Sequence, residues 1–168
     1  RAPGMAAGWA SNVAVGTAEA VPTEITLTPA VEVRGSVRTE THDAVRGATV
    51  VALSELEVGG IGRVLSATDG RFSIPSLGSA TYYLYASARG FASALESEVS
   101  PGDDVVLTLA RGGVLAGHVQ DARGAGVADA TVQVIGAESE SPRTRADGSF
   151  RVEDLGAGKY KVWAEKGT

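Results

Sequence analysis

The sequence predicts a mostly β protein built from small repeated units, on three observations. Val, Thr and Ala recur in short runs broken by Gly, Pro, Asp and Ser, the texture of many short strands. No window of about 11 residues sustains the 3, 4 and 7 spacing of an amphipathic helix. "TDGRFSIPSLGSATY" at 68–82 is repeated without a gap by "ADGSFRVEDLGAGKY" at 146–160, so Asp69, Gly70, Phe72, Leu77 and Tyr82 stand 78 residues before Asp147, Gly148, Phe150, Leu155 and Tyr160.

Upstream of that motif the repeat continues. "VRGSV" at 33–37 matches "LAGHV" at 115–119, and "GATVVAL" at 47–53 matches "DATVQVI" at 129–135, both 82 residues apart. Four extra residues therefore lie in "SELEVGGIGRV" at 54–64, where a longer turn absorbs them. "FASALESEV" at 91–99, the turn "SPGD" and "VVLTLAR" at 105–111 read as a closing hairpin. "WASNVAVG" at 9–16 and "EITLTPA" at 24–30 repeat that pattern one period earlier, with Ile25 and Leu27 82 residues before Leu107 and Leu109. "RAPGM" at 1–5 resembles "SARGF" at 87–91. The units so defined are 1–29, the closing hairpin of a preceding repeat; 30–110, a complete unit; and 111–168, a second unit lacking its last hairpin. Two open sheet edges follow, each a template for strand addition within or between molecules.

Each shared residue has a local reason. Asp-Gly between alternating runs is a strong turn signal, since Gly accepts positive φ and Asp bonds backbone two residues on. The strands that follow place Phe72 with Ile74, and Phe150 with Val152, on the core face. Leu77 and Leu155 plug the core. Tyr82, Leu84 and Ala86, like Tyr160, Val162 and Ala164, face inward, and a buried Tyr beside a bend anchors its hydroxyl to backbone. Tyr83, Tyr85, Lys161 and Trp163 face the other way; Tyr83, Tyr85 and Trp163 are the candidate ligand or partner surface, able to stack on sugars or to pack on a neighbouring domain.

Composition narrows the function. A formal charge of −5 with dispersed Lys and Arg offers no basic stripe, which argues against nucleic acid as a partner. No run approaches the roughly 18 apolar residues of a membrane span. Aromatics are 5% and cysteine is absent, so thin aliphatic cores are stabilised by sheet packing and neighbouring repeats rather than by disulfides or thiolate-bound metal. The Asp-Gly loops lack the clustered carboxylates of a calcium site. His42, in a polar loop, and His118, on a strand, are not equivalent and make neither a zinc site nor a general-base pair. Nucleophile-elbow, His-Glu-x-x-His and phosphate-loop patterns do not occur. The acidic pairs Glu55/Glu57, Asp103/Asp104 and Glu138/Glu140 read as solvated surface charge. No catalytic, cofactor or metal residues are assigned.

As an ordered series, Gly35, Val37, Ala48, Val50, Asp69, Gly70, Phe72, Leu77 and Tyr82, repeated as Gly117, Val119, Ala130, Val132, Asp147, Gly148, Phe150, Leu155, Gly158 and Tyr160, resemble the carboxypeptidase regulatory-like domain. That family is a transthyretin-like (prealbumin-like) β-sandwich found in tandem in bacterial surface and secreted proteins. The resemblance implies an all-β chain of tandem, small, antiparallel Ig-like Greek-key sandwiches with little or no helix, each of seven-strand type. It also implies a non-enzymatic spacer, stabilising or adhesion module, located extracellularly, at the cell surface or in the periplasm, with a signal expected upstream of these residues. Two departures concern turns: Gly158 is Ala80 in the first unit, and the usual Leu-x-Pro-Gly-like turn lacks its Pro. Transthyretin-like ureide hydrolases end in Tyr-Arg-Gly-Ser, whereas this chain ends Lys-Gly-Thr. Cna-B-type domains use a Lys-to-Asn or Lys-to-Asp isopeptide bond, for which the complete unit has no lysine, because Lys159, Lys161 and Lys166 all lie later. Two further functional expectations are a carbohydrate-binding module using Tyr83, Tyr85 and Trp163, and an accessory domain of a secreted peptidase. The expected partners are neighbouring repeats, a protein or polysaccharide, and other copies through edge strands.

Overall fold

A computed structural model describes residues 4–6, 8, 10, 13, 15, 22–54 and 61–167. Among these residues there are twelve strands and no helix. They are β1 (Val31–Thr39), β2 (Thr49–Ser54), β3 (Ile61–Leu65), β4 (Arg71–Leu77), β5 (Tyr82–Ser87), β6 (Ala94–Val99), β7 (Asp104–Leu109), β8 (Gly113–His118), β9 (Thr131–Ile135), β10 (Ser139–Glu140), β11 (Ser149–Leu155) and β12 (Lys161–Glu165). The chain divides into two compact units, Arg1–Ala86 with Ala94–Thr108, and Ser87–Ser93 with Leu109–Thr168.

In the first unit one sheet has the order β4-β1-β7 and the other β3-β2-β5-β6. Strict alternation makes both sheets one-sided: Val33 and Val37 of β1, Phe72 and Ile74 of β4, Val50 and Ala52 of β2, and Tyr82, Leu84 and Ala86 of β5 are all buried. The second unit repeats the plan with β11-β8 and β10-β9-β12. Its core is Val132, Val134, Phe150, Val152 and Leu155, with Leu115, Val119 and Tyr160 packed against it. Among the described residues β6 and β7 have no counterpart there. The extra residues of the first unit enter between β2 and β3, which are separated by residues 55–60, against 136–138 between β9 and β10. Residues 55–60 themselves, with Glu55 and Glu57, and most of the strand expected at 9–16 lie outside the described residues.

The repeated residues explain themselves in pairs. Gly35 sits opposite Phe72, and Gly117 opposite Phe150. A side chain at Gly117 would come within 2.7 Å of the Phe150 ring, and at Gly35 it would meet the Phe72 ring at 2.8 Å and collide with the Val105 carbonyl oxygen of β7. Glycine therefore leaves the ring room to lie across the strand. Gly70 and Gly148 both have φ of +80°, and the Oδ1 atoms of Asp69 and Asp147 accept the amides of Arg71 and Ser149 at 3.0 and 2.9 Å. The Asp-Gly turns are thus as the sequence predicts. Before Leu77 and Leu155 the register shifts, with Ser76 and Asp154 at positive φ. This bulge re-aims both leucines into the core.

Both units open with the same small clasp. In the first, Met5 bridges Pro29, Ala6 N donates to Thr28 C=O at 2.9 Å, and Ala30 N donates to Gly4 C=O at 2.9 Å. In the second, Phe91 bridges Arg111, Ala92 N donates to Ala110 C=O at 3.0 Å, and Gly112 N donates to Gly90 C=O at 3.0 Å. Residues 22–28 are otherwise in no strand, because no described strand lies beside them to share hydrogen bonds.

Candidate functional site

β5 carries both kinds of tyrosine. Tyr82 is buried, and its hydroxyl donates to the Gly78 carbonyl at 2.8 Å, closing the bend that precedes the strand. Burial raises its pKa, against a smaller lowering by the Gly78 hydrogen bond. Tyr160 repeats the anchor on Gly156 at 2.9 Å and also contacts the Glu138 carboxylate, so its single proton is shared between two acceptors. Its pKa is raised first by desolvation and then by Glu138. Glu138 further accepts the Gly156 amide at 2.9 Å. It is therefore a half-buried structural acceptor rather than the solvated charge expected from sequence, because the β9–β10 turn folds it over the Tyr160 bend. Gly136 permits this, since a side chain there would meet the Tyr160 ring at 2.5 Å.

Tyr83 and Tyr85 face outward on the β3-β2-β5-β6 sheet, each 38% exposed. Leu95 stands opposite Tyr85 on β6. On the same sheet Ile61 lies opposite Leu53, and Leu65 opposite Thr49, with Arg63 opposite Val51 between them. Leu53, Ile61, Leu65 and Leu95 are exposed, so the outer face is largely apolar. Trp163, 49% exposed, lies on β12 in the second unit, opposite Gln133 and flanked by Lys161 and Glu165. Tyr85 and Trp163 hold the same place in their units, while Tyr83 is replaced by Lys161. Sequence reasoning picked the aromatics and missed the leucines and isoleucine around them. The alternation in "IGRVL" was their signal, hidden by the glycines beside it.

A cavity of about 900 Å³ in the first unit is lined by Arg34, Arg38 and Arg71, by Asp103 and Asp104, and by the Phe72 ring. Arg34 and Arg71 already face Glu32 and Asp69 at 3.7 Å. Its charges are mixed and solvent-screened, so it focuses no field of one sign. His42 lies in the β1–β2 connection and His118 on β8 in the second unit. Among the described residues no group of three or more His, Cys, Asp or Glu is placed to hold a metal ion, and no helix is long and apolar enough to cross a membrane.

A second pair of polar groups went unnoticed in the sequence. Ser66 and Thr144, three residues before each Asp-Gly, are buried hydroxyls among apolar side chains. Ser66 Oγ donates to Val45 C=O at 2.7 Å and accepts the Ala48 amide at 2.9 Å. Thr144 Oγ1 does the same with Val127 and Ala130, at 2.6 and 2.9 Å. Both therefore secure the loop entering the second strand of their unit, which is a structural role.

No curated protein matches the sequence. Among solved structures the chain is similar to a Streptococcal ancillary pilin, at 15% identity and a TM-score of 0.42 over 82% of this chain and 54% of that one. It is also similar to the Bacillus anthracis TIE protein, at 15% identity and a TM-score of 0.37 over 84% of this chain and 31% of that one. The chain thus spans about half and about a third of those two proteins. The carboxypeptidase regulatory-like domain matches residues 32–110 and again 114–167. With its shared glycines, turns and anchored tyrosines accounted for in both units, the chain belongs to the carboxypeptidase regulatory-like domain family, present as two adjacent copies.

Proposed function

We propose that this chain is a non-enzymatic structural and interaction module of a larger surface or secreted protein, acting as a spacer, stabilising or adhesion element. The observation that carries the reading is that each residue repeated between the units has a role in a turn, a core or a backbone anchor. What was copied is a fold, and a copied active site would have repeated reactive side chains. The family membership supports a location outside the cytoplasm. Turnover of ester, amide or ureide substrates by the purified chain, lost on substitution of one of its side chains, would overturn the reading. Its expected behaviour is none.

A carbohydrate-binding role is the second reading, favoured by the recurrence of an outward aromatic at the equivalent positions Tyr85 and Trp163. Stacking on a sugar face suits such rings. Affinity electrophoresis against a polysaccharide panel tests it with Tyr85→Ala and Trp163→Ala. Retardation of the parent chain that both substitutions abolish favours this reading, and unretarded migration leaves the structural one.

A further inference from the structure

We propose that the chain assembles head to tail, residues 22–30 of one copy taking, on the second unit of another copy, the place that β7 takes in the first unit. This goes beyond the module reading and is tested separately, since a strictly monomeric chain would leave that reading intact.

The receiving site is the second unit. Among the described residues β8 pairs only with β11, and β12 only with β9, whereas in the first unit β7 flanks β1 and β6 flanks β5. The cores differ accordingly. Val33, Val37 and Leu84 are fully buried, while their counterparts Leu115 and Val119 are only partly buried and Val162 is 43% exposed. Val162 lies opposite the buried Val134, so it is on the core face and uncovered. Gly117 retains the thinness that in Gly35 admits the Val105 carbonyl of β7, yet the atoms near it are those of Phe150 alone. An open strand edge beside uncovered apolar surface is a template for strand addition.

The donor is on the same chain's other side. Ile25 and Leu27 correspond by the 82-residue offset to Leu107 and Leu109 of β7, which are 2% and 0% exposed. Ile25 and Leu27 are instead 53% and 42% exposed and in no strand. The clasp that follows them, Met5 with Pro29, is the clasp that follows β7, Phe91 with Arg111. Two residues join Thr28 to β1, and three join β7 to β8. Seating 22–28 beside β8 of another copy would therefore place that copy's first unit after this second unit by the connection the chain already uses once. The occupant is a second copy because the segment precedes the first unit and the vacancy follows it, the two halves of a heterologous contact that propagates as a series or closes as a ring.

Sedimentation velocity of the 168-residue chain over a concentration series tests this. The expected result is a weight-average mass that rises with concentration beyond the monomer. Leu27→Asp, or Ile25→Asp, disables the donor at an exposed position, and Val162→Lys puts a charge on the receiving core face that a covering strand would have to desolvate. Each variant alone is expected to be monomeric with an unchanged circular dichroism spectrum, and an equimolar mixture of Leu27→Asp with Val162→Lys to form dimers and nothing larger. A labelled peptide of residues 22–30 is expected to bind the Leu27→Asp chain. A parent chain monomeric at every concentration, association that survives Leu27→Asp, a mixture that stays monomeric, or binding of a 94–109 peptide in place of the 22–30 peptide would each overturn the proposal.

Discussion

Ser66 and Thr144 occupy one position in two units, and each buries a hydroxyl that donates to one backbone carbonyl while accepting one backbone amide. Both functions are lost together on truncation, and the Ala48 or Ala130 amide is left buried without its acceptor. Ser66→Ala and Thr144→Val should each cost about 1–3 kcal/mol, with Thr144→Ser much milder. Urea unfolding checks this through a lowered midpoint at an unchanged slope in the transition of the altered unit.

Tyr82 and Tyr160 give the fold an alkaline limit. Burial lifts the Tyr82 pKa above its ordinary 10.0, so the neutral phenol is the folded form. The stability this represents is complete below the unfolded value and is lost as pH rises through the folded one. For Tyr160, desolvation and then the Glu138 carboxylate push in the same direction. Tyrosinate absorbance should show part of the titration delayed until the chain unfolds. Tyr82→Phe should flatten the alkaline loss of stability and, at neutral pH, cost about 0.5–1.5 kcal/mol by leaving the Gly78 carbonyl without its donor. Parallel melts at neutral and alkaline pH would decide it; equal alkaline sensitivity in parent and variant would count against the assignment.

How legible this was differs by residue. Asp69-Gly70, Phe72 and the anchored Tyr82 could be read directly because each acts within a few residues of itself, and local conformation leaves a local signature. The apolar outer face around Tyr83 and Tyr85 could not, because Leu53, Ile61 and Leu95 meet only through sheet order. Glu138 and Ser66 were misread or passed over for the same reason: their partners lie 22 and 21 residues away in sequence, and a polar side chain gives no sign of burial by itself. The bulges at Ser76 and Asp154 were likewise unmarked, since neither is the glycine that positive φ favours.

Gly35 and Gly117 are equivalent in sequence and unequal in surroundings, which makes their substitution a measure of the open edge. A methyl at Gly35 collides with the Val105 carbonyl, a backbone atom held in the β4-β1-β7 sheet, as well as with the Phe72 ring. At Gly117 it meets only the Phe150 ring, at 2.7 Å, and a side chain can yield where a sheet cannot. Overpacking costs typically about 1–3 kcal/mol; Gly35→Ala should fall at or above the upper end and Gly117→Ala toward the lower. Denaturant melts of the two variants provide the comparison. Equal losses in dilute protein would mean that the space beside β8 is already occupied. A loss at Gly117 that grows with protein concentration would instead mark a strand arriving from another copy.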